Sequence, residues 1–208
     1  MFSLLFLFTE IYADAKKGAE FEKYVGGLIT EALKELKDST LFESFSWQVK
    51  SQVNIKVNGK TKRADLVIWL KVSSKWYPII IECKCYEKSY LGLNAIKQLQ
   101  SYSNNLTLNG LEDISDIEKA DGYAIDPERI YSGFVTLDVT KISKSIQKKI
   151  DNSFFCWSDL FFGDETRRRE ETEINFKDNM KRLVKNIIDL DKLKLSMSFN
   201  IFHHLKKK

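Results

Sequence analysis

The chain has 208 residues, enough for one ordinary domain or one domain with an appendage. Its 43% hydrophobic and 30% charged residues, with only two prolines and nine glycines, exclude a disordered or low-complexity chain and leave no linker to cut it in two. A formal net charge of +4 is compatible with a nucleic-acid partner without demanding one. Three cysteines are too few and too odd in number for a secreted disulfide scaffold, so an intracellular protein is expected. Cys83, Cys85 and Cys156, with His203 and His204, are too thin a set for a structural zinc or iron–sulfur site.

In chain order, the apolar run Phe2–Phe8 comes first. It is too short to span a bilayer and lacks the basic flank and cleavage site of a signal peptide. It reads as a buried helix turn or strand, or as an oligomer contact. Residues 16–37 are predicted helical, with Phe21, Val25, Leu28, Ile29, Ala32, Leu33 and Leu36 on one face. Gly26 and Gly27 within it suggest close approach of another element.

Residues 45–57 alternate as a strand, with Trp47, Val49, Val53, Ile55 and Val57 on one parity. Asn58-Gly59 is a strong hairpin signal, and residues 62–72 follow as a second strand. A polar turn at Ser73-Ser74-Lys75 leads to a third strand at 77–86, whose Ile79, Ile80 and Ile81 suggest cover on both faces. A second helix is expected at 90–106, a loop at 107–129, a fourth strand at 130–138 and a short helix at 140–150. Residues 154–162 are apolar and read equally as strand or helix. A long amphipathic helix is expected at 165–193, capped by Asp164 and acidic in its first turn. This order predicts an α/β protein, a sheet with helices packed on it.

The chemistry concentrates on the third strand. Side chains alternate along a strand, so Glu82 and Lys84 point the same way while Cys83 and Cys85 point to the other face. Sixteen residues separate Asp65 from Glu82, a spacing that lets a hairpin bring the two carboxylates together. Paired carboxylates repel unless a cation sits between them, and oxygen ligands suit Mg²⁺ or Mn²⁺. Phosphodiester hydrolysis uses such a centre, with Lys84 placed to orient water or neutralise charge on the phosphate.

Asp65 followed by Glu82-x-Lys84 on a hydrophobic strand resembles the PD-(D/E)xK nuclease superfamily. Gly18-Ala-Glu-Phe-Glu22 is similar to the G-x-x-x-E start of archaeal Holliday-junction resolvases and restriction-type nucleases. Gln98-Leu-Gln-Ser-Tyr102 is similar to the Q-x-x-x-Y element of RecB-type nucleases. The resemblance covers residues 16–140 and departs at Ala64, where the family has proline before its aspartate.

The resemblance implies a restriction-endonuclease-like αβββαβ core, a mixed central sheet flanked by helices, over residues 1–150. Residues 151–208 would form a mostly helical C-terminal extension. It further implies a metal-dependent DNA nuclease in which Mg²⁺ or Mn²⁺ is held by Glu22, Asp65, Glu82 and the Cys83 backbone carbonyl. Lys84 would act in catalysis, and Gln98 and Tyr102 would support the site or the nearby DNA. Lys62 and Arg63 are either contacts to DNA phosphate or plain surface charges; Arg167 to Arg169, among glutamates, read as a solvated helix face. Junction resolvase, restriction-like endonuclease, single-strand nuclease and recombination exonuclease all stay open. A homodimer is expected, joined through 165–193 or Phe2–Phe8. The Lys- and Ile-rich composition with the resolvase-like start points to a microbial or archaeal-virus source, hence a cytoplasmic location, the host's cytoplasm if viral. Two rival readings are a non-catalytic nucleic-acid-binding module on the same fold and a structural or interaction protein.

Overall fold

The computed structural model describes residues 2–39, 45–57, 59–73, 75–85, 91–111, 130–138, 140–153 and 155–205. Side-chain placements are confined to residues 16–39, 45–55, 59–73, 75–85, 91–102, 130–138, 140–150 and 155–192. The protein is an α/β sandwich around one mixed six-stranded sheet. Helix α1 spans Phe2–Asp38, strands β1, β2 and β3 span Phe45–Val57, Lys60–Val72 and Lys75–Lys84, and α2 spans Leu93–Asn105. Then follow β4 (Leu106–Leu111), β5 (Tyr131–Leu137), α3 (Lys144–Ser153), β6 (Phe155–Leu160) and α4 (Thr166–Leu205). The strand order is β4-β1-β2-β3-β5-β6, with β5 parallel to both β3 and β6 and the remaining pairs antiparallel.

Two cores lie on the two faces of the sheet. On one, the apolar stripe of α1 (Phe21 to Leu36) and Phe176, Met180, Val184, Ile187 and Ile188 of α4 meet Ile79 and Ile81. On the other, Leu91, Ile96, Leu99 and Tyr102 with Ile146 and Ile150 cover Val67, Trp69 and Ile80. Ile79, Ile80 and Ile81 are thus all fully buried, cover on both faces as their run suggests. Each such side chain contributes roughly 1.5–3 kcal/mol. Residues beyond 150, expected as a helical extension, supply β6 to this sheet and α4 to the same core as α1. Among the described residues no helix is long and apolar enough to cross a membrane.

Several expectations move. The apolar run at 2–8 belongs to α1, which begins far ahead of residue 16 because Glu10, Ala13, Ala15 and Lys16 between them favour helix; its side chains lie outside the described ones. β3 starts two residues early: Ser73 takes a left-handed conformation (φ 54°), so the turn is tight and Lys75 already pairs with Val72. Residues 106–111, read as the end of a helix and a loop, form β4, created by pairing with β1 that no local pattern announces. The rest of that loop, 112–129, lies outside the described residues. Residues 155–160 resolve to a strand because β5 offers them a parallel edge. α4 starts at Thr166, so its first turn carries Arg167, Arg168 and Arg169 rather than acids.

Those arginines divide. Arg167 is highly exposed and pairs with Glu171 one turn on, as a solvated helix face would. Arg168 instead bonds Asp138 at the end of β5 and lies 4.4 Å over the Phe161 ring, pinning the start of α4 to the sheet. α4 runs alongside α1 in the same direction, tied by Tyr24 donating to Glu173 (2.8 Å) and by Lys177 and Lys181 on Glu35 (2.8 and 3.0 Å). These are largely exposed, so the apolar interface carries most of the stability.

The expected close approach at Gly26 and Gly27 is not present. A Cβ at 26 would meet Leu66 at an ordinary 3.5 Å, and one at 27 would meet nothing. The glycine that packing does demand is Gly133 on β5, where an added methyl would land on the Phe155 ring of the paired strand. Gly133→Ala is expected to destabilise by about 1–3 kcal/mol through overpacking; chemical denaturation measures it, and an unchanged midpoint would show that the ring moves aside at no cost.

Candidate functional site

The tight turn after Val57 aligns β1 with β2 so that Ser51 faces Leu66 and Val53 faces Ala64. Gln52 therefore sits across from Asp65. The second turn aligns Leu66 with Ile81, and one step further Asp65 comes beside Glu82. Both hairpin strands change faces here. Phe45 and Leu66 belong to the core under α1, whereas Val53, Ile55 and Ala64 belong to the core under α2. The single parity of Trp47 to Ile55 is thus split between two cores. Gln52 makes the switch on β1, with φ 57° in mid-strand, a left-handed conformation that costs a non-glycine residue about 1–2 kcal/mol. Strain of this kind persists where surrounding contacts over-determine it, as at functional sites.

Glu82 is 1% exposed yet fully partnered. Its Oε2 accepts from Lys84 Nζ and Gln98 Nε2, both at 2.9 Å, and its Oε1 accepts from the Tyr102 hydroxyl at 3.2 Å. Gln98 and Tyr102, one turn apart on α2, bond each other at 2.6 Å. The Cys83 backbone N–H donates to Asp65 Oδ2 at 2.8 Å, and the Cys83 thiol faces the core under α1. Glu22 projects from α1 beside buried Phe21 and accepts a hydrogen bond from the Gln52 amide. Arg63 is exposed and stands near enough to Glu22 and Asp65 to stabilise their charges. Lys62 lies 5.6 Å over the Tyr102 ring, with Nζ 3.5 Å from Ser101 Oγ.

The electrostatics are those of crowded acids. Burial, then the Asp65 charge, raises Glu82 above the ordinary carboxylate range. Burial raises Asp65 too, against the pull of Lys84 and the Cys83 N–H. Glu22 is raised by burial and then by Asp65. Burial and the neighbouring Glu82 push the Tyr102 phenol up, so it stays a donor at neutral pH. Cys83 is pushed well up by burial and is no nucleophile.

No family model, no curated protein and no solved structure matches the chain.

The structure thus brings Glu22, Asp65, Glu82, Lys84, Gln98 and Tyr102 to one end of the β2–β3 pair, with Arg63 and Lys62 at its rim. Among the described residues no three His, Cys, Asp or Glu side chains stand close enough to hold a metal ion as they lie. Gln52 holds one oxygen of Glu22, and α2 with Lys84 occupies both oxygens of Glu82. A concavity of about 1120 Å³ opens between α1 and the hairpin, with Glu22, Gln52 and Arg63 in its wall.

Gln52 is the residue that reading the sequence missed. Its signal was the two-residue turn at Asn58-Gly59, which by counting back places residue 52 opposite residue 65. Because its conformation favours glycine, Gln52→Gly is expected to be more stable than Gln52→Ala by about 1 kcal/mol, although alanine is the better residue in an ordinary strand. Equal midpoints for the two variants in urea would show that the site carries no backbone strain.

Proposed function

We propose that the protein is a metal-dependent nuclease of PD-(D/E)xK type that hydrolyses phosphodiester bonds in DNA. The observation that carries the reading is half-buried Asp65 beside buried Glu82, two mutually repelling carboxylates with Lys84 alongside, near Glu22 and Arg63 in the wall of an open concavity. A fold gains nothing by burying two acids together, since each loses hydration and each raises the other. A function that needs them ionised explains their placement. In support, the helix, three antiparallel strands and helix are followed by β5 parallel to β3, the succession expected of a restriction-endonuclease-like core, with β4 inserted between α2 and β5 at the sheet edge on β1.

The donor set fits a hard divalent cation. Asp65 and Glu82, joined by Glu22 and the Cys83 carbonyl as the family resemblance implies, offer oxygens of the kind Mg²⁺ or Mn²⁺ takes. When bound, such an ion supplies charge neutralisation and an activated water. The rest falls to this chain's residues. Gln98 and Tyr102 hold Glu82 in one orientation. Lys84, 17% exposed, reaches the site with a donor that can orient the attacking water or accept charge growing on the phosphate oxygens. Arg63 at the rim draws the phosphate in. The water gives up a proton to solvent as its oxygen bonds to phosphorus, the phosphorus–ester oxygen bond breaks, and the leaving oxygen takes a proton from solvent.

Cleavage of single-stranded, duplex and four-way-junction DNA in Mg²⁺, Mn²⁺ and EDTA tests this. Metal-dependent cutting is the expected result, and the preferred substrate selects among resolvase, restriction-like, single-strand and exonuclease roles. Symmetric junction cutting requires two sites, so in that case light scattering should find a homodimer. Binding without cutting on every substrate would leave a nucleic-acid-binding module instead. Neither cutting nor binding would leave a structural role.

A further inference from the structure

A second concavity, of about 540 Å³, opens between β2 and the outer face of α2. Among the described residues, Lys62, Arg63, Asn94, Lys97, Gln98 and Tyr102 line it: three cations, two amides, a phenol and no acid. Asn94, Lys97, Gln98 and Ser101 recur at helical spacing, so α2 presents them on one face. Lys62 is held by the Tyr102 ring and Ser101 Oγ rather than by a carboxylate. Gathering three cations costs self-repulsion that packing does not require, because Arg63 and Lys97 are exposed. Gln98 and Tyr102, on the floor of this cleft, are the residues that grip Glu82. The cleft therefore opens one side chain away from Glu82, and Arg63 lines both it and the larger concavity against α1.

We propose that this cleft binds the backbone phosphate next to the one that is cut, on a single DNA strand that continues past Arg63 into the larger concavity. Lys62, Lys97 and Arg63 supply the counter-charge and the Asn94 amide supplies a donor. The strand is single because the reacting pair is recessed: Glu82 is almost wholly covered, and the phosphate must descend to it. An unpaired backbone bends into such a recess, whereas a duplex is stiff over many base pairs. The identity of the cut phosphate rests on the nuclease reading; the binding of a phosphate here rests on the cleft's own chemistry.

The test is binding of a fluorescent single-stranded oligodeoxynucleotide to the full chain in EDTA, across a range of salt. Each lost phosphate contact makes the slope of log K against log salt shallower by about 0.7 for a single strand. Lys97→Gln is expected to lose about 0.7, and Lys62→Gln with Lys97→Gln about 1.4, with weaker binding at every salt. Lys148→Gln with Lys149→Gln, on α3 at the β6 end of the sheet, should leave the slope unchanged. Lys97 is exposed, so its variant should melt like the wild type and separates binding from folding. An unchanged slope in the folded double variant, or no binding by wild type at low salt, overturns the subsite. Equal slope losses on a duplex overturn the single strand, and tighter binding of the matching RNA overturns the choice of DNA. Absence of cutting with the slope losses intact removes the nuclease reading and keeps the subsite; cutting with unchanged slopes does the reverse.

Discussion

Asp65→Asn and Glu82→Gln are each expected to lower metal-dependent cleavage by roughly 10³-fold while raising the stability of the metal-free protein. The loss follows from removing one anionic oxygen donor, a contribution of several kcal/mol to a charged transition state at about 1.4 kcal/mol per tenfold. The gain follows from the burial of the pair. An amide keeps most of the shape and hydrogen bonds of Glu82 but carries no charge to desolvate and none to repel Asp65. The two substitutions act on one unit, so the double variant should cleave about as slowly as either single one. A structural role for the pair makes the opposite forecast, since a network held by ionised groups loses stability when one is neutralised. Single-turnover cleavage and a melting curve on the same preparations decide between them. Lower stability with unchanged cleavage sinks the catalytic assignment.

The metal-free protein should lose stability as pH rises from weakly acidic to neutral, and Mn²⁺ should reverse that loss. Asp65 and Glu82 start from ordinary values of 3.8 and 4.5 and are both raised in the fold. The native state therefore holds protons that the unfolded state has released. Stability is full below those ordinary values and declines as pH climbs through the raised ones. Glu35 and Asp178 run the other way: the ammonium groups of Lys177 and Lys181 lower them, and their contribution is lost on acidification. Both are exposed and unaffected by a change at Glu82, so the difference in melting temperature between wild type and Glu82→Gln isolates the buried pair. That difference should be small near pH 4 and grow toward pH 7. A divalent cation favours the ionised carboxylates, so its stabilising effect should grow over the same window and shrink in the variant. A difference that stays flat with pH, or no response to Mn²⁺ at neutral pH, would falsify the metal-site assignment.

Much of this was written in local pattern. The 3.6-residue periodicity of Phe21 to Leu36 and the strand alternations around the Asn58-Gly59 turn report on burial of one face. Burial of apolar surface is the main force that drives folding, so such patterns survive into the structure. Strand alternation likewise put Glu82 and Lys84 on one side and Cys83 on the other without tertiary knowledge. The pairing of Asp65 with Glu82 was legible too, because short turns set register and register sets neighbours.

Tertiary structure decided what depends on contacts distant in the chain. β4 exists because β1 offers an edge, β6 because β5 does, and neither edge is visible within a few residues of the segment that joins it. α1 and α4 share one core because each leaves an apolar stripe that only the other and the sheet can cover. The left-handed Gln52 reflects a strand compelled to feed two cores at once, a demand set by helices on opposite faces rather than by its neighbours in sequence. The sequence by itself determined which residues could form the site and which would share a face, since those follow from backbone geometry and hydrophobic period. The tertiary structure decided how deeply the acids are buried, which groups hold them and where cations gather beside them, because desolvation and charge proximity belong to the packed molecule and to no single segment.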